Sequence, residues 1–350
     1  MQRSLDSLAG MATSAFGAGT SAAMRQATSP KTILECIINF FTCCGVRRRN
    51  ETQYKELIAA MAETLNSSMP GRGAPLPENI ILEDVDGCRV EFNLPGDNNE
   101  AGQVIVRVSK GDHSETREIP LVSFEKTCRA LLFRCEFSLP QDSVILTAQG
   151  GMNLKGAVLT GANLTAENLC GADLSDANLE GAVLFMADCE GANLKGANLS
   201  GASLGDSNFK NACLEDSIMC GATLDHANLI GANLQHASLL GCSMIECNCS
   251  GANMDHTNLS GATLIRANMS GVTLQGATIM AANMESAILT QANLQKASFT
   301  ATNLGEADLS EANLKNTCFK DCTLTGSCTE DTRMSTSTQT LFNEFYSEDF

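Results

Sequence analysis

Between residues 152 and 326 the apolar and polar positions follow neither a helical nor a strand pattern. A large apolar residue recurs every five positions, at Leu154, Leu159, Leu164 and onward to Leu324. Steps of five from 154 to 324 make 35 units with no insertion or deletion. With that residue as position i, the exceptions include Cys189, Phe209, Met219, Met244, Cys249, Phe299 and Phe319. Position i−2 is Ala in most units and otherwise mainly small, as at Ser207, Ser217, Cys242, Thr257 and Thr302. Position i−1 is usually Asn, Asp, Ser or Thr, and i+2 is often Gly. A helix repeats at 3.6 and a half-buried strand at 2, and a heptad is excluded as well. The period fits a square coil with five residues per side and twenty per turn. Positions i and i−2 then point inward, Leu filling the lumen and Ala letting the neighbouring wall approach. Positions i−1, i+1 and i+2 point out. Stacked turns pair like parallel strands at about 4.8 Å, so nearly nine turns make a rod roughly 40 Å long.

The pattern changes on either side of this array. "ETQYKELIAAMAETL" and "SFEKTCRALLFRC" have helical periodicity, while "NIILEDV", "CRVEFNL", "QVIVRVS" and "SVILTAQ" read as short strands. Residues 51–151 are therefore expected to form a small α+β domain. Repeat arrays need capped ends, and this domain is expected to cap the first turn. Residues 1–30 are rich in Ser, Ala, Gly and Thr and read as a flexible leader or an uncleaved export signal. Residues 31–50 contain "ILECIINFFTCCGVRRR". Its apolar stretch is too short and too polar for a transmembrane helix. Cys43 and Cys44 beside Arg47, Arg48 and Arg49 suit acylation and contact with anionic lipid. The alternative is a helix packed on the middle domain.

Charge narrows the partners. The net charge is −17. Residues 1–50 carry 6 Lys/Arg against 2 Asp/Glu, and the rod carries 7 against 17. Nucleic-acid binding needs a basic footprint, which the body lacks, so no nucleic-acid partner is expected. The 16 cysteines show no metal-type spacing and are read as reduced. His226, His236 and His256 all fall at the outward position i+2, and two stacked His do not make a metal site. No nucleophile–base set, phosphate loop or metalloprotease motif is present. The expectation is a protein with no catalytic residues, no metal, no cofactor and no small-molecule substrate.

Aromatic residues are scarce, yet the last ten residues, "LFNEFYSEDF", hold four of them among Glu344, Glu348 and Asp349. Their Leu341 and Phe342 are off the five-residue register. The segment 327–350 is read as a tail that either plugs the open end of the rod or is displayed as a ligand. Displayed aromatics fill pockets at low entropy cost, and carboxylates complement a basic groove. The display reading is preferred, because a plug does not need three carboxylates.

The A-(N/D)-L-x-x motif of "GANLKGANLSGASL" and "GEADLSEANL" resembles the pentapeptide-repeat family. That resemblance implies a right-handed quadrilateral β-helix, making the chain mainly β. Together, the Ser-rich leader, the apolar/Cys/Arg segment, the repeats and "LFNEFYSEDF" resemble the PipB group of Salmonella type III secreted effectors, nearest its longer, kinesin-recruiting member. The resemblance implies delivery by the type III secretion apparatus into the host cell and attachment to membranes of the pathogen's vacuole and its tubules. It also implies recruitment of the motor through kinesin light chain by Leu341, Phe342, Asn343, Glu344 and Phe345, with Tyr346 beside them. The role is then a non-enzymatic adaptor that moves membrane tubules and late endosomes or lysosomes outward. Two alternatives remain: an acidic DNA-mimicking rod that binds gyrase-type enzymes, as some pentapeptide proteins do, and a ubiquitin-ligase substrate adaptor.

Overall fold

The structure is a computed structural model and describes residues 51–68, 75–85, 87–95, 102–139, 146–147 and 150–338. It divides into two compact units, 1–150 and 151–350.

In the first unit, α1 (Glu51–Ser68) precedes four strands, β1 (Asn79–Val85), β2 (Cys88–Asn93), β3 (Gln103–Lys110) and β4 (His113–Pro120), and then α2 (Leu121–Glu136). The strands form one antiparallel sheet in sequence order. Alternate residues Val104, Val106 and Val108 of β3 are buried, as are Ile58, Met61 and Leu65 of α1 and Phe124, Cys128 and Leu131 of α2. One helix period and one strand period thus meet in a single core. Phe92 and Phe124 lock sheet to helix with ring centroids 5.0 Å apart. The strand expected at "SVILTAQ" is described only at Leu146 and Thr147, with a bridge at Leu146. Strand β4 carries no sequence signal: "HSETREIP" is exposed at every residue but Ile119 and shows no alternation. It forms because β3 offers it a complete ladder, from Gln103↔Pro120 to Lys110↔His113.

The second unit is the square coil. Each i−1 residue pairs in parallel with the residue twenty positions later, from Asn153↔Asp173 to Asp308↔Cys328. Position i is buried from Leu154 to Leu324, and i−2 is buried except at Met152 and Glu167, with Leu164, Leu174 and Leu224 at 0% exposure. The main-chain accounting explains the rest of the motif. The N–H of i bonds the next coil (Leu154 N to Asp173 O, 2.7 Å), and the N–H of i−1 bonds the previous one (Asp173 N to Met152 O, 2.8 Å). The N–H of i+2 also reaches the next coil (Gly156 to Ser175 O, 2.8 Å). Each corner closes with a bond from i+3 back to i, such as Ala157 N to Leu154 O at 3.0 Å. Its third residue has positive φ, as in type II turns, which is why i+2 is so often Gly.

The N–H of i+1 takes no carbonyl in this ladder. Asn or Asp at i−1 accepts it instead: Ser200 N donates to Asn198 Oδ1 at 3.1 Å, and Glu180 N to Asn178 Oδ1 at 3.1 Å. Where i−1 is Ser243, Asp225 of the previous coil accepts from both Ile245 N (2.9 Å) and Ser243 Oγ (2.6 Å). Polar residues in the lumen also return their hydrogen to the main chain, as Ser217 does to Leu214 O (2.7 Å) and Thr302 to Ile279 O (2.9 Å).

In five places the ladder lengthens into strands: β5 (Thr278–Met280), β6 (Ser298–Thr300), β7 (Asn313–Leu314), β8 (Cys318–Lys320) and β9 (Arg333–Met334). β5, β6 and β8 form a parallel sheet on one face, above the stacked lumen rings of Phe299 and Phe319, 5.0 Å apart. The coil runs past Gly326, where the sequence motif fades. Cys328 still bridges Asp308, and β9 pairs with β7. Two further units with Thr329 and Met334 at position i extend the ladder because pairing needs main chain, not Leu.

Candidate functional site

The rod's outer surface has four faces, each named by its first apolar residue: the Leu154, Leu159, Leu164 and Leu169 faces. Residues twenty apart stack along a face, so charges align in ladders. Lys195 meets Glu215 at 2.7 Å on the Leu154 face, and Lys210 meets Glu190 at 3.3 Å on the Leu169 face. On the Leu164 face Glu246 stands between Arg266 (2.7 Å) and His226 (3.6 Å). These are exposed pairs, each worth about 0–1 kcal/mol. The three rod histidines do lie outside, and the His236 and His256 rings stack at 5.2 Å and 13°. Among the described residues no group of three or more His, Cys, Asp or Glu is placed to hold a metal.

Cys189 and Cys242 in the lumen are held as thiols. Burial pushes the Cys189 thiol well up, and it pushes Cys242 up to about 12. Cys242 Sγ donates to Met219 O at 2.7 Å, and Cys247 and Cys249 sulfurs lie 3.4 Å apart, fully buried. Cys170 is exposed at its surface, yet its thiol is pushed up to about 11. Partial burial of the sulfur is the main cause, followed by its hydrogen bond to Asp188. The Asp188 carboxyl is held below its ordinary value mainly by that same bond. None of these thiols is poised as a nucleophile, which requires a stabilised thiolate. A shallow polar depression of about 450 Å³ lies between Gln291, Asn293, Glu311, Asn313, Asp331 and Arg333, with no nucleophile among them.

The residues expected to bind partners lie outside the described residues: Leu341, Phe342, Asn343, Glu344, Phe345 and Tyr346, and likewise Cys43, Cys44, Arg47, Arg48 and Arg49. What precedes the tail is described. Residues 336–338 are helical, and Thr338 is 1% exposed with its hydroxyl directed at Leu314 O (3.5 Å) and Thr317 O (3.4 Å). Ser335 Oγ lies 2.8 Å from Thr338 Oγ1. Residues 333–338 thus fasten themselves to the last coils through their own bonds. Among the described residues no helix is long and apolar enough to cross a membrane.

A coil of this period, with Leu and Ala inside and Asn/Asp on the i−1 row, defines a pentapeptide-repeat protein. Comparison agrees: the pentapeptide-repeat family matches in five segments between residues 153 and 326. The family described as "Secreted effector protein PipB2, N-terminal domain" matches residues 27–134. The chain is 92% identical over 162 residues to "Secreted effector protein PipB2" of Salmonella choleraesuis, covering 46% of each chain. It is 35% identical over 151 residues to "Secreted effector protein PipB" of Salmonella typhimurium, covering 41% of this chain and 50% of that one. These matches span about half the length of the curated relatives. Among solved structures, HetL, a pentapeptide-repeat protein of the cyanobacterium Nostoc, is similar at 28% identity and a TM-score of 0.43, covering 52% of this chain and 85% of that one. The solution structure of the N-terminal domain of Salmonella effector PipB2 is similar at 88% identity over 34% of this chain and 99% of that one, with a TM-score of 0.31. The chain belongs to the pentapeptide-repeat proteins of the PipB type.

Proposed function

We propose that this chain is a secreted effector that acts inside a host cell as an adaptor, without covalent chemistry of its own. The observation that carries this reading is the 92% identity to a secreted effector PipB2. The rod is a filled, hydrogen-bonded beam, suited to holding two binding segments apart. At one end of the chain, Cys43, Cys44 and Arg47, Arg48 and Arg49 supply the two weak signals that together anchor a protein to a host vacuole or endosomal membrane. At the other, Leu341, Phe342, Asn343, Glu344, Phe345 and Tyr346 supply an aromatic-acidic ligand for kinesin light chain. The attachment of residues 333–338 to the last coils supports a displayed ligand, because it leaves the closing of that end less dependent on the aromatic tail.

The test is binding of the purified full chain to the helical-repeat domain of kinesin light chain. Phe342→Ala/Phe345→Ala is expected to weaken binding at least about tenfold, the usual consequence of removing anchor side chains. Equal binding by the variant would overturn the tail's role. Membrane attachment is read separately, by flotation with anionic vesicles, where Arg47→Ala/Arg48→Ala/Arg49→Ala is expected to release the chain. Neither a gyrase-binding DNA mimic nor a ubiquitin-ligase adaptor is favoured by a specific observation.

A further inference from the structure

The Leu159 face differs from the other three. From Asn198 to Ala301, six successive coils, it presents no Asp, Glu, Lys or Arg. Its i+1 row reads Ser200, Cys220, Leu240, Ser260, Met280 and Thr300. Its corner row is Gly201, Gly221, Gly241, Gly261, Ala281 and Ala301, so no long side chain stands at that edge. Within this stretch three large apolar residues lie open: Ile218 at 46%, Leu240 at 47% and Met280 at 52%. Strands β5 and β6 at its far end continue into β8 of the next coil as one parallel sheet. An uncharged, partly apolar strip on a chain of net charge −17 is an interaction surface, since exposed apolar groups are usually scattered singly rather than aligned.

We propose that this face binds a second copy of the same chain, the two rods lying antiparallel about a two-fold axis. Three features select that occupant. First, strongly acidic chains repel each other, and this face lets two copies meet without bringing acid to acid. The opposite, Leu169 face does not: it is uncharged only from Asn228 to Gln291, and outside that stretch it carries Glu167, Asp188, Glu190, Asp308, Glu311, Glu330 and Asp331 against a single Lys210.

Second, the strip is bracketed by opposite charges in the same row. Glu180 stands one coil before it and Lys320 one coil after it, with Asp321 at the corner beyond. A two-fold axis along the strand direction, passing between the coils of Leu239 and Leu259, keeps each row opposite itself and reverses the coils. The coil of Leu179 then lies over that of Phe319, Leu199 over Phe299, Met219 over Ile279 and Leu239 over Leu259. Glu180 of each copy faces Lys320 of the other, twice by symmetry. The same operation sets Met280 against Cys220 and Leu240 against Ser260.

Third, the size fits a self-association regulated by concentration. Seven coil spacings, from the coil of Leu179 to that of Phe319, and about four residues of width give an interface of roughly 34 by 13 Å, bracketing charges included. That is about half of the ~800 Å² per partner of a standard stable interface, so the dimer is weak and forms as the effector accumulates on a surface.

The test is sedimentation velocity of the full chain from low to high micromolar concentration, with thermal melting to verify that each variant folds. A rise in sedimentation coefficient is expected. Leu240→Glu places two charges beside the axis and is expected to raise the dissociation constant at least about tenfold, whereas Ile288→Glu, equally open on the Leu169 face, leaves it unchanged. Glu180→Lys is expected to weaken the dimer, and Glu180→Lys/Lys320→Glu to restore it. A monomer at every concentration overturns the proposal. So does a dimer indifferent to Leu240→Glu, and failure of the double charge reversal to restore association overturns the antiparallel register.

Discussion

At the residue scale the repeat is an exercise in satisfying main-chain donors. The i+1 N–H is the one group the coil ladder leaves over, and the Asn/Asp preference at i−1 answers it. Asp225 serves two donors, Ile245 N–H and the Ser243 hydroxyl, because Ser243 cannot do what Asn does at that position. Asn248 serves one, Ser250 N–H at 3.1 Å. Replacing a group that leaves a part-buried donor unpaired costs about 1–3 kcal/mol, more when the acceptor is charged. Asp225→Ala is therefore expected to destabilise the rod by about 2–3 kcal/mol and Asn248→Ala by about 1 kcal/mol, measured by chemical denaturation. Equal effects would show that the second donor of Asp225 contributes nothing. The glycines separate two causes in the same way. Gly221 has φ +67° and open space where a Cβ would stand, so Gly221→Ala meets only backbone strain, about 1–2 kcal/mol. At Gly151 the added Cβ would lie 2.0 Å from the carbonyl oxygen of Gly171, so Gly151→Ala is expected to break the first coil pairing, seen as early proteolysis near residue 151.

At the element scale, legibility tracked whether a pattern was forced by burial. The five-residue period could be read because every i and i−2 side chain must fit the same lumen. The helices α1 and α2 and strands β1 to β3 could be read because each has one buried face. Strand β4 could not, since seven of its eight residues lie open and its place is set by β3 alone. The coils at Thr329 and Met334 were missed for the opposite reason: their pairing is main-chain, and Thr in place of Leu erased the signal. The same lumen carries a pH dependence. Cys189, Cys242 and Cys249 have folded-state values raised above the ordinary 9.0 by burial, which for Cys249 adds to its bond with Cys247. A raised value means stability that is complete below the unfolded value and is lost as pH rises toward the folded one. Between pH 9 and about 12, the Cys242 thiol removes about 1.4 kcal/mol per pH unit. The melting temperature is expected to fall from pH 9 upward, and less steeply in Cys242→Ala. A flat alkaline profile would count against buried neutral thiols in the lumen.

At the scale of the whole molecule, the sequence left one question open, whether the tail plugs the rod or is displayed. It could not be settled by composition, because the same Leu and Phe residues suit either role. The uncharged Leu159 face went unread for a related reason: at a period of five its residues are scattered, and only at twenty do they align. The end of the rod now supplies a way to decide the tail's role. β9 pairs with β7, and Thr338 is buried against Leu314 and Thr317, so 333–338 hold the last coils by named bonds. If that attachment suffices, removing residues 339–350 is expected to leave the melting temperature within about 1 °C, since surface changes away from packed features stay within about 0.5 kcal/mol. Removing 327–350 instead deletes the β7–β9 pairing and is expected to lower it by several degrees, as loss of a terminal cap does in a repeat array whose stability sums over neighbouring coils. A plug predicts the reverse order, with most of the loss already present in the shorter truncation. Differential scanning calorimetry of the two truncations against the full chain therefore assigns "LFNEFYSEDF" to the rod's stability or frees it for a partner, independently of whether the kinesin binding test succeeds.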